Sequence, residues 1–167
     1  MKKILFFFFY VSIFFSCNND KKVYKKNLSH FKNLIEDINV YFIDSTINNL
    51  EISNYYTDDF VFYSYPAGHK KGVKTFKVDY INNLTQMKKM NMLMNIGHSI
   101  YLPGINEELH ELDGSVRLYY GATISIDTNI VEFSGYQTIN FEEGKISGIW
   151  EWADYGGVSS QLDQYMK

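Results

Sequence analysis

Residues 115–154 read SVRLYYGATISI DTN IVEFSGYQTINF EEGK ISGIWEWAD, and they decide the fold. The stretch contains three segments in which apolar and polar side chains alternate, which is the period-two pattern of β-strands. These segments are 115–126, 130–141 and 146–154. The polar residues 127–129 and 142–145 fit hairpin turns, and hairpin turns join antiparallel neighbours. The stretch therefore predicts a three-stranded antiparallel meander.

Two helices and a strand are predicted earlier in the chain. Apolar residues recur at helical spacing from Ser29 to Phe42, and Ser29 is placed to cap the first helix. The same spacing returns from Val73 to Met87 and predicts a second helix. Between the two helices, residues 59–65 are rich in aromatic and β-branched side chains, which favours a strand.

A fourth long strand is predicted at 92–101, directly before the meander. Its residues alternate until Pro103, and a polar loop follows over 103–114. A short helix or tail over 156–167 closes the chain. Helices followed by antiparallel strands predict an α+β domain, in which N-terminal helices pack against one face of a curved antiparallel sheet.

Composition limits the class of protein. The 167 residues are about one domain's worth of chain, and 46% of them are hydrophobic, which is too apolar for a disordered protein. The net charge of −3 argues against a nucleic-acid partner, because nucleic acids demand a basic surface. The single cysteine, Cys17, excludes an internal disulfide and a cysteine-based zinc site.

The N-terminus has the layout of an export signal. Two lysines precede an apolar run over 4–15, which is too short for a comfortable membrane span of roughly 20 residues. The run ends at Ser16-Cys17 and resembles the lipobox of bacterial lipoproteins, in which the cysteine is lipidated. We therefore expect a signal peptide at 1–16, a lipidated cysteine and tether at 17–27, and a domain at 28–167. The expected location is the bacterial cell envelope, with membrane anchoring through Cys17.

Two alternatives stay open for this segment. Cys17 can be incidental in an ordinary cleaved signal peptide, or residues 1–16 can remain as an uncleaved anchor.

Three stretches of the chain resemble the SnoaL-like branch of the nuclear transport factor 2-like superfamily. Residues 55–62 resemble the strand after the second helix, 102–117 resemble the loop into the central strand, and 141–154 resemble the closing hairpin. The resemblance implies a cone with a pocket on the concave sheet face, and often a homodimer through the outer sheet face. Members include isomerases, cyclases and dehydratases that use no cofactor, so we expect neither a cofactor nor a metal.

Alternation predicts which side chains face the concave surface. Four polar residues fall on that mostly apolar face: His98, Tyr120, Gln137 and Asp154. The same face is expected to carry Trp150, Trp152 and Phe133 as further ligand-binding residues. Beside two indole rings, Asp154 would be desolvated and usable as a general base. SnoaL-like enzymes place an acidic residue near this position, which the resemblance carries over to Asp154.

The assisting roles follow from the same arrangement. His98 would orient the substrate or return the proton, and Tyr120 would donate to a developing enolate oxygen. The alternatives are structural: Asp154 can cap the C-terminal helix, and His98 can be a core histidine. Three functions therefore compete, namely binding of a small apolar molecule, cofactor-free catalysis with Asp154 as base, and a structural homodimer through the outer sheet face.

Overall fold

The structure is a computed structural model that describes residues 2–165, with side chains from Asp20 onward. Within these residues the chain forms three α-helices, one 3₁₀ turn and six strands. In chain order they are α1 (Lys2–Ile43), the 3₁₀ turn (Ser53–Tyr55), β1 (Tyr56–Ser64), β2 (Val73–Phe76), α2 (Lys77–Lys89), β3 (Met92–Ile105), β4 (Leu112–Ile126), β5 (Asn129–Glu142), β6 (Lys145–Ala153) and α3 (Tyr155–Tyr165).

All six strands belong to one sheet, in the order β2-β1-β6-β5-β4-β3. Neighbouring strands are antiparallel except β1 and β6, which run parallel. The helices α1 and α2 contribute to the same hydrophobic core as the strands. The predicted α+β architecture is confirmed. The sheet is mixed and not wholly antiparallel, because the first long strand pairs with the last strand of the meander.

The core lies between α1 and the strands β4, β5 and β6. The apolar stripe predicted for the first helix is buried here, and it faces the inner side chains of the sheet. The buried residues of the two surfaces include Phe31, Leu34, Ile38, Phe42, Val116, Leu118, Ile139 and Ile149. At the end of α1, Lys88 Nζ donates hydrogen bonds to the backbone carbonyls of Asp44 and Ile47, each at 2.8 Å. A lysine of α2 thus satisfies carbonyls beyond the last turn of α1.

The first helix is longer than the sequence predicts. Residues 20–27 are helical, and Ser29 lies inside α1, where it caps nothing. Asn27 is buried and donates a 2.9 Å hydrogen bond from Nδ2 to the carbonyl of Gly114. This part of the predicted tether therefore packs against the domain, because a buried amide with a strand-end partner holds it there.

The predictions for the export signal are the signal peptide at 1–16 and the lipidated Cys17. Both lie outside the residues whose side chains the structure describes. In the part of the chain that was described, no helix is both long enough and apolar enough to cross a membrane.

The second predicted helix begins later than its apolar spacing suggests. Val73–Phe76 forms the short strand β2, which pairs antiparallel with the end of β1. α2 then starts at Lys77. Val73 and Thr75 are β-branched, and the open edge of β1 offers them backbone partners, so the strand prevails over the helical pattern.

One strand, β3, carries an extra residue near its middle. Its register passes from Ile96 opposite Ala122 to Ser99 opposite Tyr120, so β3 uses one residue more than β4 over this interval. At this β-bulge the side chain of Asn39 in α1 pairs with the backbone of Ile96, donating to its carbonyl at 2.9 Å and accepting from its N–H at 2.8 Å. The helix thus supplies hydrogen bonds beside a disrupted ladder.

A second extra residue lies in β6. Asn140 is opposite Gly148, but the next residue of β5, Phe141, is opposite Ile146, which leaves Ser147 as the added residue. Ile146 and Ile149 are consequently both buried although they are three positions apart. From Ile149 onward the inward positions are the odd-numbered ones, which reverses the face that simple alternation predicts.

Candidate functional site

A cavity of about 210 Å³ lies between the inner face of the sheet and the helices α2 and α3. Its wall is mostly apolar and aromatic. The lining residues are Phe62, Tyr80, Leu84, Met87, Met94, Ile96, Tyr120, Ala122, Ile124, Phe133, Gln137, Glu151, Ala153, Tyr155 and Val158. We call this space the cone cavity. A concave apolar space with a few convergent polar groups is the usual form of a small-molecule site.

The polar groups of the cone cavity converge on Glu151. Its Oε1 accepts hydrogen bonds from Tyr120 Oη at 2.6 Å and from Gln137 Nε2 at 2.5 Å. Its Oε2 accepts a short hydrogen bond from Tyr155 Oη. Three donors therefore hold one carboxylate in a defined position, and hydrogen bonds to an ionised acceptor are stronger than neutral ones.

Strand register explains how these groups meet. Gln137 of β5 lies directly opposite Glu151 of β6. Tyr120 lies one strand further away, opposite Gly135, and its ring reaches Glu151 across the space above that glycine. A Cβ at position 135 would lie 2.5 Å from Tyr120 Cζ, which no real contact allows. Gly135 is therefore what lets Tyr120 reach the carboxylate.

The tyrosines of the site are held in their neutral form. Desolvation raises the pKa of Tyr120 well above its ordinary value, and the nearby Glu151 carboxylate raises it further. The pKa of Tyr155 is raised for the same two reasons, in the same order. Burial also raises the pKa of Tyr80, with Glu151 as the second cause. All three hydroxyls thus remain protonated far above neutral pH.

Gln137 has a free acceptor. It is 7% exposed, and its Oε1 is buried without a hydrogen-bond partner, while its Nε2 donates to Glu151. Because Glu151 requires a donor from this amide, the amide cannot be turned round to satisfy the oxygen. An unpaired buried carbonyl oxygen of this kind is uncommon, because buried polar groups in proteins nearly always have a hydrogen-bond partner.

Three of the residues predicted for the site lie in the cone cavity. Tyr120, Gln137 and Phe133 all line it, as alternation along β4 and β5 predicts. The predicted role of Tyr120 as donor to a substrate oxygen differs from what its geometry offers, because its hydroxyl already donates to Glu151. The catalytic role of Tyr120 stays a prediction.

The predicted position of His98 is wrong. His98 is exposed and lies in a shallow groove on the outer face, together with Thr123 and Glu132. The β3 bulge after Ile96 turns its side chain away from the cavity.

The predicted positions of Trp150 and Trp152 are also wrong, and the β6 bulge is the reason. Trp150 stacks on Tyr63 with ring centroids 5.3 Å apart, and Trp152 stacks on Tyr65 at 4.6 Å. Neither indole lines the cone cavity. Because Ser147 adds one residue to β6, both rings lie on the outer face of the sheet.

Asp154 lies outside the cavity lining, which corrects its predicted position there. It is exposed, and its Oδ1 accepts a 2.9 Å hydrogen bond from the N–H of Gly157. Gly157 is the third residue of α3, so this is the geometry of a helix N-cap. The structural alternative for Asp154 is the one that its contacts support.

Glu151 is the site residue that sequence reasoning missed. Alternation placed it on the outer face because nothing in a strict period of two announces an extra residue. One signal was present, since a glycine inside a strand often marks a bulge, and Gly97 and Gly148 lie at the two bulges. In the described residues, no three or more His, Cys, Asp or Glu side chains come together to hold a metal ion. The expected absence of a cofactor stays a prediction.

The fold of this domain is that of the nuclear transport factor 2-like cone, and solved structures of this type match it. A pinacolase, BvnE from Penicillium brevicompactum, matches with a TM-score of 0.62 and 12% identity, over 86% of this chain and 93% of its own. A phenazine biosynthesis-related protein from Pseudomonas aeruginosa matches at 0.59 and 10%, over 87% and 88%. An NTF2-like protein from Anabaena variabilis matches at 0.54 and 14%, over 77% and 89%.

These likenesses establish the fold alone, because the sequence identities are low. No protein-family model and no curated protein matches the sequence.

Proposed function

We propose that this chain is an envelope lipoprotein with a SnoaL-like domain that binds a small, largely apolar molecule in the cone cavity. The observation that carries the proposal is the Glu151 carboxylate, held by three donors in an otherwise apolar and aromatic cavity. Such a wall supplies affinity, and a few fixed polar groups supply orientation.

The cavity's size limits the ligand. The cavity volume is about 210 Å³. This is below the roughly 300–1,000 Å³ of common ligand pockets, so a compact molecule such as a substituted six-membered ring suits it.

Methyl NMR of the full chain in phospholipid nanodiscs tests the binding proposal. Among the methionines, Met87 and Met94 line the cavity, while Met90 is 52% exposed and serves as an internal control. With ¹³C-methyl methionine, fluorobenzene should shift the signals of Met87 and Met94 and leave Met90 unchanged.

A pair of variants on β4 localises the binding. Ala122→Phe fills the cavity and should abolish the fluorobenzene shifts, whereas Thr123→Phe on the outer face should preserve them. Shifts that survive Ala122→Phe, or that never occur in the wild-type protein, would contradict the proposal.

Catalysis is the second candidate, and it now involves Glu151 in the role that sequence reasoning gave to Asp154. A carboxylate inside an apolar cavity with neutral tyrosines beside it is suited to moving a proton on carbon. A cofactor-free isomerase, cyclase or dehydratase would use such a group. Deuterium exchange at the carbons beside the carbonyl of cyclohexanone should then be accelerated by the wild-type chain and not by Glu151→Gln. Equal rates for both would remove this candidate.

A homodimer through the outer sheet face is the third candidate. That face carries the Trp150 and Trp152 stacks, and Trp152 is 42% exposed, a large apolar area for a surface position. Cross-linking in membranes should trap a dimer that Trp152→Glu abolishes, with Glu132→Gln as the control on the same face. A chain that stays monomeric would exclude this assembly.

The membrane anchor has its own test. If Cys17 is lipidated, mass spectrometry of the protein isolated from membranes should show an acylated N-terminus at Cys17, and Cys17→Ser should retain residues 1–16. Full-length mass in the unaltered protein would instead favour an uncleaved anchor.

A further inference from the structure

We infer that the molecule bound in the cone cavity is a small apolar amine, held in its ammonium form with its N–H groups directed at Glu151 and Gln137. This inference rests on the proposed binding function and adds the chemical class of the ligand. It follows from the balance of donors, acceptors and charges around the cavity.

Most donors around Glu151 already have an acceptor. A tyrosine hydroxyl has one hydrogen, and those of Tyr120 and Tyr155 both go to Glu151. The amide of Gln137 gives one of its two N–H groups to the same carboxylate. A carbonyl, enolate or carboxylate of a ligand would therefore find the remaining amide hydrogen of Gln137 and the hydroxyl of Tyr80, and it would face the negative charge of Glu151.

The acceptors, in contrast, are not all paired. Gln137 Oε1 is buried and unpaired, and it belongs to a side chain that lines the cavity. The carboxylate of Glu151 also retains capacity, because two oxygens offer about four acceptor positions and three are filled. A ligand that donates hydrogen bonds satisfies both groups, whereas a ligand that only accepts leaves Gln137 unpaired.

The charge balance selects an ammonium among the possible donors. No lysine, arginine or histidine belongs to the described lining of the cavity. Of the cations elsewhere, Lys77 pairs with Asp58, Lys88 with backbone carbonyls, and Arg117 with Ser115. A cationic ligand would balance Glu151 in a poorly solvated space, and the rings of Phe62, Tyr80 and Phe133 provide aromatic surface around it.

Three probes of similar size separate the possibilities. Benzylamine is a cation with N–H donors, benzyl alcohol is a neutral donor, and benzoate is an anion that only accepts. Each is titrated into the full chain in nanodiscs, with empty nanodiscs as the blank, and the Met87 and Met94 methyl signals give the dissociation constants. Benzylamine should bind at least about tenfold more tightly than benzyl alcohol, since hydrogen bonds to charged groups exceed neutral ones. Benzoate should be the weakest.

Variants assign the preference to the site. Glu151→Gln keeps the shape and an acceptor for the tyrosines but removes the charge, so it should weaken benzylamine at least about tenfold and change benzyl alcohol less. Glu132→Gln makes the same substitution on an exposed outer position of β5 and should change neither. Gln137→Leu removes the unpaired acceptor and should weaken benzylamine with Glu151 intact. It provides a second measurement if Glu151→Gln lowers folding.

The outcomes distinguish this inference from the proposed function. Benzyl alcohol or benzoate binding as tightly as benzylamine, or an amine preference that persists in Glu151→Gln, overturns the inference while the cavity remains a binding site. If benzylamine leaves Met87 and Met94 unmoved, the inference is wrong, and the fluorobenzene titration decides separately whether the proposed function fails with it.

Discussion

The strands β4 and β5 differ from β3 and β6 in how well simple alternation predicts their faces. Along β5, and along β4 from Val116 onward, every second side chain faces inward, so Tyr120, Phe133 and Gln137 lie where alternation predicts. Along β3 and β6 one added residue reverses the faces partway, so His98 turns outward and Glu151 turns inward. The polar group at the centre of the site comes from a strand whose pattern is broken.

The physical lesson concerns the meaning of a strand pattern. A period of two tells which residues share a face only while every residue has a partner across the ladder. A bulge costs regular pairing but turns a chosen side chain, which is one reason why bulges occur beside functional sites. Here the bulge at Ser147 brings a carboxylate to the cavity and moves two indole rings away from it.

Ile149→Ala should have the largest effect, and it tests the reversed faces of β6 with a single side chain. Ile149 is 1% exposed, so the cavity left by truncation should lower the free energy of unfolding by about 2–5 kcal/mol. Ile130→Ala is the matched control, because Ile130 is 58% exposed and its truncation should cost under about 0.5 kcal/mol. Similar losses for both variants in urea denaturation would contradict the inward position of Ile149.

Gly135→Ala should break the site while the regular strand around it persists. The added methyl group meets the Tyr120 ring and forces it away from Glu151, at a cost of about 1–3 kcal/mol in the free energy of unfolding. The benzylamine affinity should fall as well. Gly121→Ala is the control, since a Cβ there has nothing within 4 Å. Unchanged stability and affinity in Gly135→Ala would mean that Tyr120 needs no such space.

Asp154→Ala should have the smallest effect and separates the two acidic residues of this region. Loss of the cap on α3 should cost about 1 kcal/mol of unfolding free energy and leave ligand affinity unchanged. Glu151→Gln should change affinity instead. If Asp154→Ala abolished binding and Glu151→Gln did not, the sequence-based choice of Asp154 would be reinstated.

Most of the fold was accessible from the sequence because its signals are local. Hairpin turns at 127–129 and 142–145, the strand over 92–101, and the apolar stripe from Phe31 to Phe42 each depend on near neighbours in the chain, and the structure confirms them. The predictions that failed involve distant partners. Val73–Phe76 forms a strand because it pairs with the edge of β1. Residues 20–27 are helical, and Asn27 there donates a hydrogen bond to the carbonyl of Gly114.

The candidate site was accessible only in part, for the same reason. Tyr120 and Gln137 could be placed because β4 and β5 are regular, but Glu151 could not, because a glycine in a strand suggests a bulge without giving its direction. Asp154 had the right chemistry for a base, but its carboxylate accepts a hydrogen bond from the N–H of Gly157 in the first turn of α3.

The sequence by itself determined the α+β order of elements, the apolar faces of the central strands and the net charge, since periodicity and composition act residue by residue. The tertiary structure alone decided which carboxylate enters the cavity. That choice depends on one residue of register between β5 and β6, on the space above Gly135 and on a tyrosine at the start of α3. These are contacts between segments far apart in the chain or on different elements, and no local pattern encodes them.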